Sequence, residues 1–179
     1  MAGSGPEAVL LTGPVGAGKT TLATEIGELL KAADVAHAVI ELDWLSWCVG
    51  PGGDAQIRRQ LVIENLAAMV SNFQRAGICR YVLAGSIVSL EHLDAVASTL
   101  DGIHLEVVRI VAPAELLASR VEERDAARKT LGSVSQAAEF LATTRNAIPD
   151  CLEVDNTSGD VSATAEAVLD KIGWRALRM

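Results

Sequence analysis

Cysteine is scarce in this chain of 179 residues, and its placement excludes the frameworks that cysteines usually build. Cys48, Cys79 and Cys151 are odd in number and far apart, so the sequence shows neither a disulfide framework nor the close pairs of a zinc site. Free cysteines are usually buried like small hydrophobic residues, and we expect this of all three. Because such chains are typical of reducing compartments, we predict a cytoplasmic location.

Long apolar runs and excess positive charge are also missing. No stretch approaches the roughly 18 apolar residues of a membrane span, although hydrophobic residues make up 50% of the chain and can fill a core. Residues 1–6 have neither the basic nor the apolar character of a signal peptide. The net charge of −8 argues against broad capture of nucleic acid. We therefore expect a small-molecule partner, no membrane and no nucleic acid, in a monomer or a homodimer.

The most specific feature is the segment 13–20, which reads Gly-Pro-Val-Gly-Ala-Gly-Lys-Thr and matches the phosphate-binding pattern G-x-x-x-x-G-K-[ST] at every fixed position. Its glycines let backbone N–H groups point at phosphate oxygens, the lysine supplies a mobile charge, and the threonine hydroxyl can bind Mg²⁺. The alternative is a glycine-rich turn without a ligand. The predicted nucleotide-binding residues are Gly13, Val15, Gly16, Ala17, Gly18, Lys19, Thr20 and Thr21, with Thr20 as the metal ligand.

Strand and helix patterns alternate along the chain. The predicted strands are residues 8–12, 35–42, 80–84, 105–111 and 151–154, and the predicted helices are residues 20–33, 54–75, 90–100, 113–127, 136–147 and 160–172. This alternation predicts an α/β fold in three layers, αβα, with a five-stranded parallel sheet in a single domain of residues 1–179. Ligands of such sheets bind beyond the carboxyl ends of the strands, where the chemically active residues should gather.

Asp43 follows the second predicted strand, at the same edge of the sheet as the glycine-rich loop. A carboxylate there can hold a Mg²⁺-bound water or accept a proton from a hydroxyl group. Its alternative role is to cap a short helix that begins at Trp44. Trp44 and Trp47 could form an apolar wall for a substrate ring, or could simply pack against a neighbouring element. Ser86 follows the third predicted strand at the same edge.

Two groups of arginines could supply positive charge to this edge. Arg58 and Arg59 stand in the first turns of the helix predicted for residues 54–75, where they could reach an acidic substrate or form a solvated surface. Arg120, Arg124 and Arg128 recur every four residues, which puts three like charges on one helical stripe. Bound phosphates could neutralise this stripe, since guanidinium groups match phosphate oxygens. Surface salt bridges are the alternative.

The loop, Asp43 and the arginine stripe together resemble the P-loop small-molecule kinases, in particular the adenylylsulfate-kinase-like, gluconate-kinase-like and chloramphenicol-phosphotransferase-like groups. Residues 40–45, Ile-Glu-Leu-Asp-Trp-Leu, resemble the second-strand segment that ends in a catalytic aspartate. Residues 107–124 resemble the fourth strand and an arginine-bearing lid, and residues 154–159 resemble the last strand and the loop beside adenine. The resemblance implies the P-loop NTPase fold, with a short helical lid near residues 120–135 and a substrate-binding region near residues 44–75.

The resemblance also implies an ATP-dependent phosphotransferase that uses Mg²⁺ and acts on a hydroxyl group of a small molecule. Its implied catalytic residues are Lys19, Asp43, Arg120 and Arg124, with Asp43 orienting or deprotonating the acceptor. The remaining implied contacts are Arg120, Asn156 and Thr157 for the nucleotide, and Asp43, Trp44, Trp47, Arg58, Arg59 and Ser86 for the substrate.

The chain departs from many relatives at the end of the third strand, where residues 83–86, Leu-Ala-Gly-Ser, carry no carboxylate. This departure favours one alternative, a nucleotide-binding regulatory NTPase with slow hydrolysis. A nucleoside or nucleotide kinase is a further alternative. For Asn156 and Thr157, a plain Asx turn explains the residue types as well as a purine contact does.

Overall fold

The computed structural model describes residues 7–48, 55–128, 148 and 151–174. Within these residues the strands are β1 (Glu7–Thr12), β2 (Ala38–Glu41), β3 (Arg80–Ala84), β4 (His104–Val111) and β5 (Leu152–Asp155). The helices are α1 (Lys19–Ala32), α2 (Ala55–Arg75), α3 (Leu90–Ser98), α4 (Ala114–Arg128) and α5 (Val161–Lys171), with a short 3₁₀ helix at Leu42–Ser46.

The five strands form one sheet in the order β2-β3-β1-β4-β5, and every pair of neighbours is parallel. Strand β1 lies at the centre, where Leu10 pairs with Leu83 of β3 and with Val107 of β4. A central parallel strand is covered on both faces, which explains its continuous apolar sequence. The predicted fold class, an α/β protein with a five-stranded parallel sheet, is confirmed.

Two apolar clusters cover the faces of the sheet. On one face, α1 and α5 pack together through residues such as Leu22, Ile26 and Val168. On the other face, α2 and α3 pack through Leu66 and Val96. Because all five strands are parallel, the carboxyl ends of β1, β2 and β3 meet at one edge of the sheet. That edge carries the candidate site.

Strand β2 is shorter than predicted: it covers Ala38–Glu41 rather than residues 35–42. At its start the chain is still turning, because Asp34 has a φ of 55° and the Val35 N–H group donates to the Leu30 carbonyl at 3.0 Å. At its end Leu42 enters the 3₁₀ helix and is buried against Gly85, where a Cβ atom would stand only 2.8 Å from the Leu42 Cβ atom. The other predicted bounds that fall within the described residues differ from the observed ones by two residues at most.

Several smaller expectations can also be compared with the structure. Cys48 and Cys79 are exposed and Cys151 is half-buried, so the expectation of three buried cysteines is wrong. In the part of the chain that the structure describes, no helix has both the length and the apolar character needed to cross a bilayer. The helix predicted at residues 136–147 and the second half of the predicted lid lie outside the described residues.

Candidate active site

The glycine-rich loop joins β1 to α1 and needs glycine at specific positions. Gly18 caps α1 with φ 92° and ψ 16°, a left-handed conformation that glycine adopts without strain. Glycine has no side chain that could cap the first N–H groups of the helix, and no side-chain capping bond is present there. A Cβ atom at Gly18 would stand 2.8 Å from the Asn156 Nδ2 atom, and one at Gly16 would stand 2.7 Å from the Leu117 carbonyl oxygen. The loop therefore presents a helix N-terminus with free donors, which is the geometry that binds anions.

A cavity of about 660 Å³ opens beyond the carboxyl ends of the strands, in front of this loop. It lies in the size range of small-molecule sites. The predicted site residues that line it are Val15, Gly16, Gly18, Lys19, Thr20, Thr21, Asp43, Trp44, Trp47, Ser86, Arg120, Arg124 and Asn156. The predicted site residues that do not line it are Gly13, Ala17, Arg58, Arg59 and Thr157.

Lys19 lies at the start of α1 and is buried, with 8% of its surface exposed. Its Nζ atom donates a hydrogen bond to the Pro14 carbonyl oxygen at 3.0 Å, which holds the side chain across the loop. Burial lowers the pKa of Lys19, and the nearby charges of Asp43 and Glu41 oppose that shift. The ammonium group is therefore held in place by its surroundings, and an anionic ligand at the loop would stabilise its charge further.

Glu41, the last residue of β2, is a site residue that the sequence patterns did not indicate. The Thr20 Oγ1 atom donates to the Glu41 Oε2 atom at 2.5 Å, and Glu41 Oε1 is buried without a hydrogen-bond partner among the described residues. Burial raises the pKa of Glu41, and the hydrogen bond from Thr20 opposes the rise. The Cα partner of Glu41 in β3 is Ala84, so this carboxylate stands beside the strand end that lacks its own acid. A sequence signal for this role of Glu41 was present, because Glu41 and Asp43 place two carboxylates at the end of the same strand.

Asp43 lies inside the 3₁₀ helix, is exposed, and faces the same cavity as the loop. The residue that caps this helix is Glu41, without a side-chain capping bond, so the alternative role of Asp43 as a helix cap is excluded. The charge of Asp43 acts on both Lys19 and Glu41. The carboxylate is therefore free to interact with a ligand while remaining close to the phosphate-binding machinery.

Trp44 and Trp47 stack on each other, with ring centroids 4.7 Å apart and an interplanar angle of 17°. The 3₁₀ helix explains the stack, because three residues per turn place positions i and i+3 directly above one another. The side chains are 62% and 70% exposed. The alternative that these residues simply pack into the protein is therefore wrong.

The arginines divide into two groups. Arg120 lines the cavity: its Nη2 atom donates to the Asn156 carbonyl oxygen at 2.9 Å, and its buried Nη1 atom has no hydrogen-bond partner among the described residues. Arg124 also lines the cavity, one helical turn further along α4. Arg58 and Arg59 are exposed on α2 and do not line the cavity.

His92 of α3 lies on the Asp43 side of the site. Burial is the main cause that lowers the pKa of His92, followed by the charge of Arg59, while the charge of Asp43 raises it. The side chain therefore lies within electrostatic reach of both residues, although His92 itself does not line the cavity.

Asn156 supports the glycine-rich loop from across the sheet. Its Nδ2 atom donates to the Ala17 carbonyl oxygen at 2.8 Å, and its Oδ1 atom accepts from the Thr164 hydroxyl at 3.2 Å. The amide that was expected to contact a purine is thus engaged inside the protein. The Thr157 N–H group donates to the Asp155 Oδ1 atom at 2.7 Å, which is an Asx turn. Hydrogen bonds from the Thr157 side chain and, second, from its backbone N–H group lower the pKa of Asp155.

The fold and the loop define a P-loop nucleotide-binding protein, and comparisons with known proteins agree. A family model described as an AAA domain matches residues 9–145, so the chain belongs to that family of P-loop domains. A search of curated proteins gave no significant match.

Several solved structures share the fold over nearly the whole chain. A sugar kinase from Janibacter sp. has a TM-score of 0.67 at 18% identity and covers 96% of this chain and 98% of its own. The APS kinase of Mycobacterium tuberculosis, solved with AMPPNP and APS, has a TM-score of 0.65 at 20% identity, covering 94% and 98%. Shikimate kinase from Acinetobacter baumannii, solved with shikimate, has a TM-score of 0.65 at 19% identity, covering 93% of both chains. The chain therefore has the fold of small-molecule P-loop kinases.

Proposed function

We propose that this protein is an ATP-dependent phosphotransferase that moves the γ-phosphoryl group to a hydroxyl group of a small molecule. The observation that carries the proposal is one cavity lined both by Asp43 and by the phosphate-binding loop, whose Lys19 lies within reach of the Asp43 charge. The printed names of the similar structures, a sugar kinase, an APS kinase and a shikimate kinase, support the same class. The loop would hold the triphosphate and Asp43 would hold the acceptor.

The residues around Thr20 fit a magnesium ion. Mg²⁺ prefers oxygen ligands and keeps several of its waters. The Thr20 hydroxyl and the Glu41 carboxylate supply oxygen atoms 2.5 Å apart, and Glu41 Oε1 is buried with no partner among the residues that the structure describes. A divalent cation supplies charge neutralisation for the β- and γ-phosphates. Thr20 would bind the ion directly, and Glu41 would hold one of its waters in place of the acid that β3 lacks.

Asp43 would position the acceptor and receive its proton. The acceptor oxygen forms a bond to the γ-phosphorus while the bond between that phosphorus and the β,γ-bridging oxygen breaks, so that ADP leaves with the electron pair. The hydroxyl proton passes to the Asp43 carboxylate and then to solvent. Phosphoryl transfer depends more on positioning and charge stabilisation than on strong base chemistry, so a carboxylate suffices.

Arg120 and Arg124 would stabilise the negative charge of the transferring group. The Arg120 guanidinium is anchored on the Asn156 carbonyl group, which leaves its Nη1 atom for a ligand. As parts of a lid near residues 120–135, both arginines would also exclude water, so that transfer is favoured over hydrolysis.

The remaining expectations belong to the same proposal. Residues 1–179 would form one kinase domain with an acceptor region near residues 44–75, acting in the cytoplasm as a monomer or a homodimer. Further contacts would come from Ser86 on the acceptor side and from Asn156 on the nucleotide side, whereas Arg58, Arg59 and Thr157, which were also expected to contribute, do not line the cavity. For Asn156 the contact would be indirect, through the loop that its amide supports.

The identity of the product tests this proposal. The purified protein is incubated with ATP labelled in its γ-phosphate, Mg²⁺ and a pool of small metabolites that carry hydroxyl groups, and the labelled products are separated. We expect the label on an organic acceptor, in an amount that depends on the pool. Label that appears only as free phosphate, at a rate the pool does not change, would instead identify a slow NTPase. Label on nucleosides or nucleoside monophosphates alone would identify a nucleoside or nucleotide kinase.

A further inference from the structure

We propose that the acceptor carries a ring, and that the apolar face of this ring stacks on the Trp44–Trp47 pair while a hydroxyl group of the acceptor meets Asp43. The inference rests on the proposed function, because it names the class of acceptor for the same cavity. It goes further by separating ring compounds from the open-chain polyols and sugar acids that share hydroxyl chemistry with them.

The indole pair is a fixed platform and not a pair of loose side chains. Trp44 lies in the 3₁₀ helix and Trp47 directly follows that helix, where the Trp47 N–H group donates to the Trp44 carbonyl oxygen at 3.2 Å. The adjoining backbone is tied to α2, since the Asn65 Nδ2 atom donates to the Leu45 carbonyl oxygen at 2.6 Å. Rings that are already aligned lose little conformational entropy when a third ring joins them.

The outer faces of the pair are open to a ligand. Stacking covers only the inner face of each indole, and more than half of each side chain stays exposed. The third tryptophan of the chain, Trp174, is 4% exposed and lies in the core with α1 and α5. A large aromatic side chain normally contributes most to stability when it is buried in this way. Exposed apolar surface of this size, inside a cavity that also holds polar groups, is typical of a binding site.

The position of the pair determines what can occupy it. Trp44 directly follows Asp43 in the same 3₁₀ helix, and both tryptophans line the cavity together with the glycine-rich loop. A ring seated on the indoles therefore lies next to the carboxylate that would receive the hydroxyl proton. A flat or apolar ring face gains contact with an indole face, whereas an open-chain polyol presents hydroxyl groups in all directions and would leave them without partners there.

Two sources of the ring share this chemistry, an aromatic ring and the apolar face of a sugar ring. Three probes distinguish them: benzyl alcohol, methyl glucopyranoside and the open-chain polyol sorbitol. Each is titrated into the protein with Mg²⁺ and a non-hydrolysable ATP analogue while the indole fluorescence is recorded. We expect at least one ring compound to change the fluorescence with saturation, and sorbitol to leave it unchanged. The change should disappear when both residues are replaced by phenylalanine, which leaves Trp174 as the sole tryptophan.

Single substitutions separate a flat platform from a merely apolar one. Trp47→Leu keeps an apolar side chain but removes the ring, whereas Trp47→Phe keeps a ring. We expect the leucine variant to weaken binding of the ring compound on the order of 3- to 10-fold, as for the loss of one aromatic contact, and the phenylalanine variant to stay near the wild type. Val39→Ala is the matched control, since Val39 is 41% exposed but does not line the cavity. Unchanged affinity of each variant for the ATP analogue shows that it is folded.

The outcomes distinguish this inference from the proposed function. Saturable binding of ring compounds that depends on an aromatic residue at position 47 supports the inference, even if no phosphoryl transfer from ATP to them is found and the proposed function itself fails. Equal binding of sorbitol, equal losses for the leucine and phenylalanine variants, or no fluorescence change with either ring compound would overturn it. Transfer to an open-chain acceptor with an unchanged KM in Trp47→Leu would overturn the inference and leave the kinase proposal standing.

Discussion

Replacing Glu41 by glutamine removes one negative charge beside Thr20 and keeps the size of the side chain and an oxygen that can accept the Thr20 hydrogen bond. Because this carboxylate would hold a water of the magnesium ion, the variant should need more Mg²⁺ to bind ATP. Binding of the nucleotide without metal should not weaken by a similar factor, because the substitution removes no hydrogen-bond donor from the glycine-rich loop.

The structure sets the size of the effect. Thr20 Oγ1 and Glu41 Oε2 are 2.5 Å apart, and Mg²⁺ stands about 2.1 Å from its ligand oxygens, so a carboxylate oxygen lies within about 4.6 Å of an ion at Thr20. At that separation a single negative charge attracts a divalent ion by about 2 kcal/mol even at the dielectric constant of water. The loss of this attraction corresponds to about a 20- to 30-fold increase in the Mg²⁺ concentration needed for half-maximal binding.

Titration calorimetry with an ATP analogue, repeated over a series of free Mg²⁺ concentrations, measures this shift. Glu28→Gln is the matched control, because Glu28 lies on the exposed face of α1 and pairs there with Lys31. We expect the control to behave like the wild type. A Glu41→Gln protein with an unchanged Mg²⁺ requirement would refute the assignment of this carboxylate to the metal.

Two further predictions concern the loop and His92. Gly18→Ala should weaken ATP binding and lower the free energy of unfolding by about 1–2 kcal/mol, because alanine is strained in a left-handed backbone. The new Cβ atom, 2.8 Å from Asn156 Nδ2, should add to this loss. Gly77 also has a positive φ (83°) but open space around it, so Gly77→Ala should show the backbone cost alone in thermal denaturation. Because burial lowers the pKa of His92, the folded protein binds fewer protons than the unfolded chain just below the usual value of 6.5, and its stability should fall as the pH is lowered through that range. His92→Gln should reduce this dependence in denaturant titrations at several pH values.

The strands and the glycine-rich loop could be predicted from the sequence because their signals are local. The apolar run of β1, the glycines and Lys19 lie within a few positions of one another, and alternation with helices gives the parallel sheet. Asp43 could be placed at the carboxyl edge by the same argument, since the edge follows from topology alone.

Features that depend on contacts between distant parts of the chain could not be predicted. Glu41 appeared to be an ordinary strand residue, and its role emerges only when α1 brings Thr20 within hydrogen-bonding distance. Asn156 was expected at a purine, but the fold brings its amide to the Ala17 carbonyl group, 139 positions earlier in the chain. The stack of Trp44 and Trp47 required knowing that the chain after β2 forms a 3₁₀ helix.

The most direct test of the central claim is the Asp43→Asn protein, measured for both ATP binding and phosphoryl transfer to an acceptor. The variant keeps the shape of the side chain but cannot take a proton from the hydroxyl group. We predict nearly unchanged affinity for ATP and a loss of about 10²- to 10⁴-fold in kcat, the usual contribution of a general base. Asp34 is exposed and does not line the cavity, so the control variant Asp34→Asn should keep full activity. Transfer at the wild-type rate in Asp43→Asn would contradict the account.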